Sequence, residues 1–194
     1  MRLNANALPF IADMRARAEQ LGIAWHERGC GTRLADCGVK ASGGAEAGVL
    51  MARVAMAGLG TVQVEPPGHH APEFTAVWPG CEWPVVAVAT AAPVAACLAS
   101  QYAGWKVGTD GYFAMASGPI RAAIGREELF DCIGMRERVA EAVGLLETAK
   151  LPPDEACREL AAAAGVSPEK VVLLVARTAS AAGTLQVVAR SLET

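Results

Sequence analysis

Two stretches of this 194-residue chain gather side chains able to do chemistry. The first is "ACLASQYAGWKVGTDGYFAMASGP", residues 96 to 119, which holds both tyrosines, Tyr102 and Tyr112, together with Trp105. Gln101 offers a donor and an acceptor, and Tyr102 and Trp105 offer faces for a flat ring. Glycines at 104, 108 and 111 let the backbone approach a ligand closely and make the stretch too glycine-rich for a helix. At its end Ser117 and Gly118 precede Pro119, a favoured first helical residue, so free N–H groups there can hold a carboxylate or phosphate. A plain helix cap would look the same. The second stretch is Arg190-Ser-Leu-Glu193. In a helical turn its two charged side chains share a face; in an extended chain they point apart. Read locally, the pair is an exposed ion pair worth well under ~1 kcal/mol.

Other chemistries lack their residues. Gly29-Cys-Gly31 has neither the third glycine of a dinucleotide fingerprint nor a preceding strand. No Walker sequence, GxSxG elbow or HExxH is present, and the three histidines offer no partner for a Ser or Cys nucleophile. His69 and His70 sit in a Pro/Gly-rich loop without a third ligand at zinc spacing, and the six cysteines form no CxxC, so they read as reduced structural thiols and metal is not implied. A net charge of −3 and a pI near 5.7 come without a Lys/Arg cluster, which excludes a nucleic-acid partner. No apolar run reaches the roughly 18 residues of a membrane span. The N-terminus reads as a mature first helix rather than a signal, and the protein as cytoplasmic.

These residues must be positioned by an α+β fold. Apolar positions at helical spacing run from Ala5 to Leu21 and stop at Gly22. A strand, a Ser-Gly-Gly turn and a helix from about Glu46 to Ala57 follow, then strands at "TVQVE" and "PVVAVAT". The second half repeats the plan. Ala116-Ser117-Gly118 echoes Ala41-Ser42-Gly43, and "VVLLVARTASAAGTLQVVAR" echoes "PVVAVATAAPVAACLAS". The expectation is an internal duplication: an N-terminal helix and connection over 1–29, one α/β half over 30–105, a second over 106–194, and a cleft at their seam. "LPPDEACRELAAAAGVSPEKV" reads as a surface scaffold helix with an Asp154 cap, closed by Gly165.

Taken together, "ADCGVKASGGAEAGVL", "ACLASQYAGW", "GYFAMASGP", "LETAKLPPDE" and "TASAAGTLQVVARSLET" resemble the methenyltetrahydromethanopterin cyclohydrolase family, from near residue 1 to 194. The chain departs from the family at Ala116, where glycine is usual, and at Arg177, where proline is usual; the family's chains also continue past the position of Thr194. The resemblance implies a hydrolase without metal or cofactor that converts 5,10-methenyl-tetrahydromethanopterin to the 5-formyl form. It implies that Glu193 is the base and Arg190 its partner, and that residues 101–119, with Gln101, Tyr102, Trp105, Ser117 and Gly118, wall the pterin cleft. It also implies self-association as a trimer. The alternative is a truncated, non-catalytic tetrahydromethanopterin-binding or interaction module, and a chain ending at Thr194 is expected to be less active than a longer one.

Overall fold

The computed structural model describes residues 2–69, 72, 75 and 78–190. It is an α+β fold around a six-stranded sheet. The spatial order is β1 (Ala24–Glu27), β2 (Arg33–Asp36), β8 (Val171–Ala176), β7 (Ala142–Glu147), β6 (Tyr112–Ser117) and β5 (Trp105–Thr109). β2, β8 and β7 run parallel, and antiparallel β1 and β6–β5 close the two sides. The parallel centre follows from its sequence. VVLLVA and AVGLL have no polar alternation, because a strand covered on both faces has no solvent side. Val172, Leu174 and Ala176 face a core made with α1 (Leu3–Ala16), α3 (Ala45–Ala55) and α7 (Ala181–Arg190). Val171, Leu173 and Val175 face the opposite core, which α6 (Asp154–Ala164) covers. Each such side chain contributes roughly 1.5–3 kcal/mol by leaving water. Between β6 and β7 lie two short helices, α4 (Ile120–Ile124) and α5 (Leu129–Ile133). Among the described residues no helix is long and apolar enough to cross a membrane.

Three details depart from the sequence reading. The first helix is not continuous to Leu21. It breaks at Arg17, whose φ of −106° and ψ of 19° leave helical space, and resumes as α2 (Ala18–Leu21) before Gly22 closes it at φ 64°. The Arg17 guanidinium is held there by Asp13 and by Glu46 of α3. The glycine-rich stretch is helical at its start, since Val94–Gln101 forms a π-helix in which the Tyr102 N–H reaches Cys97 O at 2.9 Å. All of that stretch's glycines lie after the helix, so its "ACLASQ" is free to coil. Thirdly, the expected duplication is not shown by the topology. β4 (Val85–Thr90) pairs with β3 (Gly60–Glu65) in a separate antiparallel hairpin, whereas β8, its expected counterpart, lies inside the six-stranded sheet. Strands from both expected halves share that sheet, and the boundary at residue 106 falls within β5.

Asn4 ties α1 to the sheet from inside. Its Oδ1 accepts the Val143 N–H at 2.8 Å and its Nδ2 donates to Pro119 O at 2.8 Å. Glu137, far along the chain, caps the start of α1 by accepting the N–H groups of Leu3 and Asn4, each at 2.9 Å. At the other end of the core, α7 starts with the Ser180 hydroxyl accepting the Gly183 N–H at 3.1 Å. Gly183 has no room for a side chain, since a Cβ would lie 1.9 Å from Arg177 O. Gly183→Ala gains up to ~1 kcal/mol of helix propensity but forces a backbone carbonyl aside, at about 3 kcal/mol. We expect a net loss of about 2 kcal/mol, read as a lower urea midpoint; an unchanged midpoint contradicts this packing.

Candidate functional site

β7 and β8 are parallel neighbours, and Glu147 pairs in register with Ala176, so both strands end at one edge of the sheet. Antiparallel β6 begins at that edge. Ligand crevices in parallel sheets lie outside the carboxyl ends of the strands. Here that place holds a cleft of about 580 Å³, lined by residues 111–113, 147–150 and 177–179. Its walls are fixed by local bonds. The Thr148 hydroxyl lies 2.9 Å from Phe113 O and 3.0 Å from Lys150 O, which locks the turn after β7 to the start of β6. Lys150 Nζ donates to Gly111 O at 3.2 Å. Burial pushes the Tyr112 phenol up to about 12, so this ring enters the cleft neutral at physiological pH.

Charge enters the cleft at a few positions. Arg190, at the end of α7, places Nη2 2.8 Å from Oε2 of Glu147, with the two side chains only 14% and 12% exposed. This is a mostly desolvated pair rather than a surface one. Lys150 and Arg177 are exposed cations on the rim. Among the described residues Glu147 Oε1 has no hydrogen-bond partner, and neither does the buried Nε2 of Gln186, one helical turn before Arg190.

The Arg177 side of the cleft is braced by Asp36, the last residue of β2. Its fully buried carboxylate accepts four N–H groups, from Gly38 and Val39 at Oδ1 (3.1 and 2.7 Å) and from Lys40 and Ala41 at Oδ2 (2.9 and 3.1 Å). Burial pushes its carboxyl upward, but the four donors together outweigh burial and hold it below the ordinary carboxylate value. The loop so formed meets the cleft wall, with the Arg177 N–H directed at Gly38 O and Gly38 itself packed against Ser180.

Of the residues singled out from the sequence, Arg190 is brought into contact with Glu147 of the cleft wall without lining the cleft itself, while Glu193 lies outside the described residues. Gln101 is buried at the end of the π-helix with Nε2 3.5 Å from Ala189 O, next to Arg190 but not in the cleft lining. The Tyr102 ring covers the Arg121 guanidinium at 5.1 Å, where Arg121 is fully buried and doubly bonded to Glu127. Gly104 admits that Glu127 carboxylate, which a Cβ would strike at 1.8 Å. Trp105 packs against the core that α6 covers, beside a small hollow with Leu160 and outside the cleft lining. Ser117 is buried opposite Leu145, and the Gly118 N–H is already donated to Ser100 O at 2.8 Å. From the aromatic stretch it is Gly111, Tyr112 and Phe113 that line the cleft. Glu147, Lys150 and Arg177 went unnoticed as site residues. The signal for Glu147 was present: a lone carboxylate ending a wholly apolar strand of the parallel type.

Comparison with known proteins bears on this site. A family profile described as Cyclohydrolase (MCH) matches residues 2–194. A methenyltetrahydromethanopterin cyclohydrolase of Methylobacterium sp. (strain 4-46) is 41% identical over 98% of this chain and 57% of its own length. Those of Methylobacillus flagellatus and Methanosarcina mazei are 38% and 41% identical, over 95% and 84% of this chain. The chain spans about half the length of these curated relatives, 54% and 49% for the latter two.

The Asp36 brace has a pH signature. Because its folded-state pKa is depressed, its contribution is present above the unfolded value near 3.8 and is lost as pH falls through the lower folded value. Asp36→Asn is expected to cost about 1–3 kcal/mol at neutral pH, since an amide cannot accept four donors. In pH-dependent urea unfolding the gap between the two proteins should close only below pH 3.8. A gap that is constant down to lower pH contradicts the account.

Proposed function

The chain belongs to the Cyclohydrolase (MCH) family, and from that premise we propose that it hydrolyses 5,10-methenyl-tetrahydromethanopterin to the 5-formyl compound. The observation that carries the reading is Arg190, which α7 brings against Glu147 in the wall of a cleft at the carboxyl ends of parallel strands, with Glu193 three residues on in the sequence. The proposed substrate is already an amidinium cation, N5–CH=N10⁺, and needs no covalent activation. Water adds its oxygen to the bridge carbon while Glu193 takes one water proton. The protonated carboxyl then passes that proton to N10 as the C–N10 bond breaks. Loss of the remaining hydroxyl proton leaves the formyl group on N5, with one proton released overall. A carboxylate so placed accepts a proton in the transition state, and Arg190 keeps it ionised and oriented. Because the substrate supplies the electrophile, the proposed reaction calls on no metal or cofactor.

Two coarser parts of the proposal have separate support. All six cysteines are free thiols, which suits the reducing cytoplasm. Self-association, as a trimer by family resemblance, is supported by large apolar side chains left exposed near the β3–β4 hairpin, Val64, Trp78 and Trp83.

The assay is loss of methenyl absorbance on adding the chain. Glu193→Gln should lower kcat by roughly 10²- to 10⁴-fold with little change in binding, because the amide keeps the shape but takes no proton. Arg190→Lys should also lower kcat, since a point charge does not reproduce a planar fork. No absorbance loss with the unmodified chain overturns the proposal. Normal turnover in Glu193→Gln removes that residue from the mechanism.

A further inference from the structure

Of the charged side chains that line the cleft the proposed reaction employs none directly, and one of them, Glu147, is bonded to Arg190. Glu147 ends β7, where its backbone is in register with Ala176 on one side and Met115 on the other. Its Cα is therefore fixed by two neighbouring strands. Arg190 reaches that strand from α7 with a long, rotamer-rich side chain, whose position depends on side-chain contacts. We infer that Glu147 is a positioning residue that anchors the Arg190 guanidinium at the cleft wall, an inference that rests on the cyclohydrolase reading of this site.

Several observations support it. The Nη2–Oε2 separation of 2.8 Å is that of a charge-assisted hydrogen bond, and both side chains are largely out of water, where such a bond is neither screened nor replaced by solvent. A contact from a rigid strand to an arginine on a helix is the kind of support that holds an active-site group within a few tenths of an ångström. Glu147 engages Arg190 through one oxygen only. Oε1 is buried and has no hydrogen-bond partner among the described residues, so it remains able to accept from a water entering the cleft. Thr148 and its bonds to Phe113 and Lys150 hold the turn directly after Glu147, so the anchor does not drift with the rim.

The test separates the anchor from the reaction. In the ligand-free chain with ¹⁵N-labelled arginine, the Arg190 guanidinium signals, assigned by their loss in Arg190→Lys, should report slow rotation. In Glu147→Gln they should average. Unchanged signals overturn the inference. In hydration kinetics Glu147→Gln should lower kcat roughly tenfold while KM moves less than about twofold, as for a displaced catalytic partner. In an Arg190→Lys background the same change should cost less than about twofold, because residues acting through one contact are not additive. Full additivity, or a wild-type rate in a variant whose guanidinium is released, overturns the positioning role. Should Glu147→Gln fail to fold, Glu147→Asp carries both readouts: intermediate rotation and rate support the anchor, and wild-type values for both overturn it. A chain that shows the tether but hydrates nothing sinks the cyclohydrolase reading and leaves the anchor standing.

Discussion

Parallel pairing of β7 with β8 is the constraint from which most of the molecule follows. Two parallel neighbours cannot be joined by a tight turn, so the chain must leave the sheet and return, and α6 is that crossover. A parallel pair must also be covered on both faces, which is why VVLLVA is buried at every position and why helices lie on each side of the sheet. The same pairing sets Glu147 beside Ala176. Whatever follows the two strands then rises from one edge, and the cleft between residues 147–150 and 177–179 is the result.

Apolar packing places the regular elements, but a handful of buried polar groups decides where the irregular segments go. Asp36 gathers four N–H groups from the loop after β2, Asn4 bridges α1, β7 and the Pro119 turn, and Arg121 joins Glu127 to Leu98 O beneath the Tyr102 ring. Each is costly to leave unpaired in the interior, so each specifies one conformation of its loop. The Arg190–Glu147 contact belongs to this set, with the difference that it borders the cleft.

Much of this was legible in the sequence, for local reasons. The apolar run of β8, the closure of α6 at Gly165 and the strands of the β3–β4 hairpin follow from period, turn chemistry and residue type, whereas Arg190 read locally as an exposed ion pair and drew attention through the family resemblance. What was missed depends on partners distant in sequence. The break at Arg17 is held by Glu46, the π-helix ends where Gln101 meets Ala189, and Tyr102 turns to Arg121 rather than to the cleft. Repetition of strand–turn–helix order suggested two matching halves, yet strand order in a sheet is set by pairing, which the order of elements along the chain does not encode. Glu147 escaped notice because its significance lies in the arginine that folding brings to it.

We propose the cleft at the carboxyl ends of β7 and β8 as the binding place of the one-carbon carrier. A crystal structure of this chain with 5-formyl-tetrahydromethanopterin tests it most directly. The formyl oxygen is expected within hydrogen-bond reach of Arg190, with Arg190 still bonded to Glu147 and the ligand's rings beside Tyr112 and Phe113. A ligand seated elsewhere, such as in the hollow beside Trp105, with the Arg190–Glu147 pair untouched, would contradict it.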